Sequence, residues 1–485
     1  MGKYAVPDYI RAQKPKGKQV KKIGNGYYVY DCKNVKCEDG KWRVRTGDII
    51  GCIREGVGFV PGEKYSGGDV RTVLEYGQYA LAYEATKGEL STLKEFFDPL
   101  EATMLYTHAL ILFVNGYQPL KNVDRFLAMS YLSRKYPGLS LSSYMTTRLL
   151  GKLGAHEGRP MAYEAHLLSL AGTIGVGGHC FTSFSGENDL TEYGNKYLGT
   201  GEMRMNLLMA YDVDMNTPLY AKMFPGGMPD KTSVRDFLDA FSLPGKVFLM
   251  DCGFYGEENL GKIVAGGSDY VIPLSCNLRE YKDIRDRMDY RESFVYRADR
   301  KLDPVFFFED PGQGKDGPRV ILYKDMDRSV AEEDCFRKRI GTSKDYTVEK
   351  LQELKPYFGS FVLRTSLRGE SAQEIFEFYK KRWRIEDHYD LLKNRDGIEA
   401  LGMRDYYVTQ GLSLLILIEG RIESAFRKAC AAAKVGAPDD VLLDARTVKI
   451  QLRKSTWVAT EKSEKLISLF NALSCPLVGD LGLVT

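Results

Sequence analysis

Between residues 70 and 175 apolar side chains recur at steps of three and four, through DVRTVLEYGQYALAYEATKG, LEATMLYTHALILFVNGY, NVDRFLAMSYLSRKY, LSSYMTTRLLGKLG and MAYEAHLLSLAG. That period lines one face of successive helices and predicts an all-α domain over 69–175. On either side the period changes. Residues 20–60 alternate apolar and polar positions between turn signals at Gly24-Asn25-Gly26 and Asp39-Gly40, the pattern of a small β-rich module within 1–68. From about 178 to 275, MNLLMAYDVD and TPLYAKMF predict paired strands, and PDKTSVRDFLDAFS predicts a helix with Asp and Thr at its start. KVFLM (246–250) reads as a buried central strand, EENLGKIVAGG as a helix and DYVIPL as another buried strand. Antiparallel strands followed by alternating helices and strands predict a mixed α/β sheet. Residues 276–365 break that rhythm with charged strands punctuated by Pro and Gly, such as DPVFFFEDPGQGKDGPRVILYKD, and read as an inserted β-rich piece. Helix resumes at SAQEIFEFYKKRWRIEDHYDLLK. The expected organisation is therefore multidomain, with an α/β core from 176–275 and 366–405 and a helical C-terminal region over 406–485.

Composition adds a charge asymmetry. The formal net charge is +3, yet residues 1–60 carry thirteen Lys/Arg against six Asp/Glu, so this segment is at +7 and the remainder at −4. A basic segment ahead of a near-neutral body suits either a polyanionic partner or a solvated tail. Nine cysteines are scattered without a CxxC pair, which points to reduced thiols in a cytoplasm rather than a disulfide framework. The longest apolar runs, around LSLLILI (412–418) and ALILFV (109–114), are far short of a membrane span, so the expectation is a soluble protein.

Candidate chemistry centres on YKKRWRIEDHYDLLK (379–393). At helical spacing Tyr379, Arg382, Glu386 and Lys393 fall within an arc of about 60° on one face. One carboxylate is thus flanked by two cations and a phenol. A carboxylate can ligate a divalent metal, and Arg and Lys can hold phosphate oxygens. The same pattern also describes a solvated, salt-bridged helix face. A second carboxylate, Asp251, ends the apolar strand KVFLM ahead of Cys252-Gly253-Phe254-Tyr255, where sites gather on α/β sheets. It could equally serve to hydrogen-bond the turn.

In order and spacing these blocks resemble the insertion-sequence DDE transposases of the YREK-signature type. The match is carried by Tyr379, Arg382, Glu386 and Lys393, by MDCGFYGEENL (250–260) with Asp251 as the family's second Asp, and by EYGNK (192–196) and PLYAKMFPGGMPD (218–230). It covers about 60–400. The resemblance implies a ribonuclease H-like core with a β-rich insertion between the second Asp and the Glu. It further implies that Asp251 and Glu386 hold catalytic Mg²⁺ or Mn²⁺, in a two-metal site, and that Tyr379, Arg382 and Lys393 hold DNA. Trp383 is a candidate for stacking on a base or for the core. The implied partner is double-stranded DNA, at element ends and target, engaged by a homodimer and by the helical domain. Metal-assisted in-line phosphoryl transfer would then cleave and join strands.

One departure stands out. The family's first Asp precedes a small-residue block, and GGHCFTSFSGENDLTEYGNK (177–196) places Cys180 at that position. A thiol is a poor ligand for Mg²⁺, which takes hard oxygen donors. The expectations are a transposase with an impaired site, a transposase-derived DNA-binding protein that no longer cuts, or a metal-dependent nuclease.

Overall fold

The computed structural model describes residues 6–485 except 25, 37–39, 55–57, 62–72, 184, 194–201, 288–289, 291, 299–300, 310–316, 383–384, 387–388, 390–399, 402, 454–455, 462, 476, 478–482 and 484–485. The N-terminal alternation forms a four-stranded antiparallel sheet in the order β1 (Gln19–Ile23), β2 (Gly26–Lys36), β3 (Trp42–Arg54), β4 (Gly58–Pro61). Its small core is Val6, Ile10, Val29, Ile50 and Ile53.

The helical periodicity yields Gly77–Phe96, Pro99–Asn115, Leu120–Met129, Ser143–Ala155 and Gly158–Leu170. These do not form a domain by themselves. The 28-residue helix Tyr406–Ala433 is buried over most of its length and shares one core with them. The strand β5 (Val73–Glu75), just ahead of the first of these helices, pairs with a strand near the C-terminus. The expected helical C-terminal region 406–485 thus contributes its first helix to the core of the helical unit. Helices Ser143–Ala155 and Tyr406–Ala433 approach through glycines. A Cβ at Gly154 would strike the carbonyl oxygen of Tyr407, and one at Gly411 the carbonyl of Leu150. Overpacking against backbone cannot be relieved by a rotamer change, so Gly411→Ala is expected to cost about 3 kcal/mol, measurable by urea unfolding.

The central sheet follows from the buried apolar runs. β6 (Thr173–Ser183), β7 (Glu192–Tyr193), β8 (Met203–Asp212), β9 (Thr217–Pro225), β10 (Val247–Leu249) and β11 (Asp269–Pro273) supply its first half. β9, β8 and β6 are successively antiparallel, while β10 is parallel to both β6 and β11. The spatial order β9-β8-β6-β10-β11 fits a ribonuclease H-like core. The strands of the 276–365 insertion join the central sheet. β12 (Glu292–Ala298), β13 (Lys301–Glu309), β14 (Arg319–Asp325) and β15 (Ser360–Thr365) continue the same sheet, with β15 antiparallel to β11. An edge strand as apolar as β11 presents unpaired backbone groups that another strand satisfies. Helices Met326–Arg339 and Val348–Leu354 cross between β14 and β15. β16 (Ala400–Leu401) adds to β6, and β17 (Lys449–Arg453) joins β5 to β18 (Thr456–Ala459).

Where the helical unit meets β9, Glu164 is buried and accepts from the Ala221 amide at 3.4 Å. Burial pushes its carboxyl up to about 8, against a smaller downward pull from that amide and Lys222. The sign of the linkage follows. Between the ordinary value of 4.5 and about 8 the unfolded chain releases this proton while the folded chain keeps it, so stability falls as pH rises through that window. Glu164→Gln is expected to flatten this fall and to raise the melting temperature at pH 8 relative to native, with little difference at pH 4.

Candidate active site

β6 is the floor of the site. Its sequence TIGVGGHCFTS has glycine at 175, 177 and 178, and strand alternation sends 175, 177 and 179 to one face and 178 and 180 to the other. The neighbours agree with that assignment. A Cβ at Gly175 would lie 2.5 Å from Ile385 Cδ1, and one at Gly177 2.7 Å from Ile385 Cγ2 and 3.0 Å from Tyr389. The His179 ring stacks on Tyr389 with centroids 5.1 Å apart. Gly178 instead faces Asp230, whose Oδ1 is 3.6 Å from the Cβ position.

β10 runs beside β6 with Leu249 opposite Gly175. Asp251 follows two residues later. Its carboxylate accepts from the Cys252 amide at 2.7 Å and its carbonyl from the Phe254 amide at 3.0 Å, so it does cap the turn. Only one oxygen is used in that bond.

Glu386 comes from the segment after helix Ala372–Lys381. Ser371 and Glu374 form a capping box at its start, and Ala372, Ile375 and Phe376 bury its inner face. The helix carrying Tyr379 does not run unbroken to Glu386, although Ile385 and Glu386 are themselves helical. The helix ends at Lys381, and the Arg382 and Ile385 amides bond three residues back, to Tyr379 and Arg382. Arg382 and Glu386 nonetheless keep helical spacing, and Arg382 Nη2 donates to Glu386 Oε1 at 2.6 Å. Lys393 and Trp383 lie outside the described residues.

Arg382 is the hub. Its guanidinium sits 5.6 Å from the Tyr379 ring centroid. Its side chain is 12% exposed, against 49% for Glu386. Burial opposes its charge, but Tyr379, Asp251 and Glu386 outweigh that and raise its pKa further. Burial likewise raises the Tyr379 phenol, with Arg382 pulling down and Asp251 adding to the rise. The buried Arg382 Nε has no hydrogen-bond partner among the described residues. An unsatisfied buried donor on a cation costs stability in the free protein and suits an incoming anionic oxygen. So Asp251, Tyr379, Arg382 and Glu386 come together.

Cys180 does not join them. The Asp251 position is level with Gly177 when the β6–β10 register is continued. Cys180 is three residues further, about 10 Å along the strand at about 3.3 Å per residue. It also points to the opposite face, where Arg204 hydrogen-bonds its thiol. Asp230, which the sequence offered only as a helix start, places Oδ2 2.8 Å from the Cβ position of Gly253 and so stands beside the Asp251 turn. Among the described residues no three His, Cys, Asp or Glu side chains converge as a metal cluster.

A sheet of this order fits the ribonuclease H-like class, with Asp251 just beyond its fourth core strand. Residues 181–418 match the family described as Transposase DDE domain, a span that includes Asp251, Tyr379, Arg382 and Glu386. That match spans just under half of the chain, and the similar curated proteins are insertion-sequence transposases. It is 25% identical over 214 residues to the transposase for insertion sequence element IS231E of Bacillus thuringiensis subsp. finitimus, covering 40% of this chain and 44% of that one. It is 23% identical over 198 residues to the IS231B transposase of Bacillus thuringiensis subsp. berliner, covering 38% and 41%. The matches thus span less than half the length of either relative. A piggyBac transposase synaptic complex with hairpin DNA overlaps 76% of this chain and 77% of that one at 11% identity and a TM-score of 0.38, too distant to place any residue. No helix among the described residues is long and apolar enough to cross a membrane.

Proposed function

We propose that this chain binds the ends of an insertion sequence as a DDE transposase does, and that its strand-cleavage site is impaired at Gly177. The observation that carries this reading is the β6–β10 register. A carboxylate able to share an ion with Asp251 and Glu386 must stand on β6, level with Asp251, and point toward the Glu386 segment. Gly177 alone meets those conditions, and Ile385 and Tyr389 occupy the space its side chain would need. The impairment expected from Cys180 is therefore moved to Gly177.

Divalent metal is the family's general requirement, and Asp251 and Glu386 are hard oxygen donors of the right type. They do not fit the expected two-metal site. Glu386 is held by Arg382, and among the described residues no third carboxylate converges with the pair.

DNA holding needs only the residues present. Arg382, buried and fixed by Tyr379 and Glu386, offers its unsatisfied Nε to a phosphate oxygen, and a guanidinium on a pre-formed mount loses little entropy on binding. Tyr379 supports the guanidinium and can donate to a second oxygen. Lys393, expected from the sequence to hold DNA as well, lies outside the described residues. Each copy would hold one element end, so two ends require a dimer. The test is a gel-shift titration with duplexes from the sequences flanking the reading frame and with scrambled duplexes of equal length. Preferential binding of the flanking sequences is expected, and equal affinity for both would refute end recognition.

A further inference from the structure

The β2–β3 hairpin outgrows the module that carries it. β1 covers β2 only as far as Tyr30, and β4 covers β3 only from Gly51. Beyond those points, Cys32↔Thr46 through Lys36↔Trp42 pair as a ribbon of two strands. Residues 33–36 and 40–49 are exposed on both faces, unlike any ordinary sheet edge. Register shifts between Val29 and Cys32 mark irregularities at the base, the device by which a strand is bent and re-aimed.

The side chains on this ribbon are unusual for one left in water. Trp42 is 68% and Val44 54% exposed. Lys33, Lys36, Arg43 and Arg45 lie on its strands and Lys41 just ahead of the second, with no acid among residues 33–36 and 41–45. The acids of the segment are Asp31, which pairs with Lys18 at the base at 2.6 Å, Asp48, and Glu38 and Asp39 outside the described residues. Lys33 and Arg45 are directly opposite each other, on the face shared with Arg43. Like charges in cross-strand pairs destabilise a sheet, and a polyanion relieves that cost. From Cys32 to Lys36 the ribbon extends four residue steps, about 14 Å at about 3.4 Å each. A major groove about 12 Å wide and 8.5 Å deep admits a two-stranded ribbon of this kind.

We infer that this ribbon enters the major groove of double-stranded DNA, with Lys33, Arg43 and Arg45 on one face toward the backbone and base edges and Asn34, Lys36 and Trp42 on the other. The assignment rests on the end-binding reading above and adds where on the chain the duplex is read.

The experiment uses the full chain and a duplex from the sequence flanking its reading frame. Affinity is measured by fluorescence anisotropy across salt concentrations, with dimethyl sulfate protection of guanine N7 as a major-groove readout. Arg43→Gln/Arg45→Gln is expected to weaken binding about tenfold at physiological salt and to lower the salt slope by about 2, at about 0.9 per phosphate contact. It should also erase a patch of N7 protection. Trp42→Ala should alter the same patch while keeping the salt slope. Unchanged affinity, slope and protection in both variants, with native binding intact, overturns the ribbon assignment and leaves end binding standing. Tighter native binding to single-stranded RNA of the same sequence overturns it as well. Native protein that binds none of these duplexes refutes the end-binding reading itself.

Discussion

Arg382→Ala is expected to weaken binding to the element-end duplex by about ten- to a hundredfold, the range of a hydrogen bond to a charged group at about 1.5–3 kcal/mol. The residue has three roles at once. It offsets the charges of Asp251 and Glu386, lies against the Tyr379 ring, and keeps a buried Nε with no hydrogen-bond partner among the described residues. Removing it leaves two carboxylates facing the same space, and DNA phosphate would then meet net negative charge. Arg382→Lys separates charge from shape. Lysine keeps the charge but has neither the planar fork nor the Nε donor, so it is expected to recover only part of the affinity. Native-like binding by the alanine variant would show that the guanidinium is a structural brace for Glu386 and nothing more.

The second large effect concerns cleavage. Gly177→Asp combined with Ile385→Ala is expected to gain Mg²⁺-dependent nicking of the element end, at least a hundredfold above native, because an ion's stabilisation of transition-state charge is worth several kcal/mol. The Ile385 change is needed because a Cβ at 177 lies 2.7 Å from Ile385 Cγ2. Gly177→Asp alone is expected to lose stability by overpacking, about 1–3 kcal/mol. Cys180→Asp is the discriminating control. It places a carboxylate about 10 Å further along the strand and on the other face, and no gain is expected. Cleavage restored by Cys180→Asp and not by the double variant would move the impaired position back to Cys180.

Much of this fold is legible in the chain because buried strands announce themselves as short apolar runs. KVFLM and DYVIPL become β10 and β11, and the residue after the first run is Asp251, where an α/β sheet puts chemistry. The pairing of Arg382 with Glu386 follows from helical spacing alone, even though the helix ends sooner than its pattern suggests. What escaped is set by relations between distant segments. Which β6 residue stands level with Asp251 depends on the parallel register of β10, and nothing local distinguishes Gly177 from Cys180. Membership of β12 to β15 in the central sheet is likewise invisible, since alternation reports a strand's faces and not its partners. The C-terminal helix did carry a signal. LSLLILI is apolar all round, the mark of a helix enclosed by others rather than one lying on a surface.

DNA binding and strand cleavage can be measured on one preparation. Native protein would be titrated onto an end-labelled duplex from the element's flank, and the saturated complex incubated with Mg²⁺ or Mn²⁺ and run on a denaturing gel. A specific complex with no nicking above the protein-free control is the expected result. Robust cleavage at the element end by the native chain would contradict it, and would mean that another residue supplies the carboxylate that Gly177 lacks.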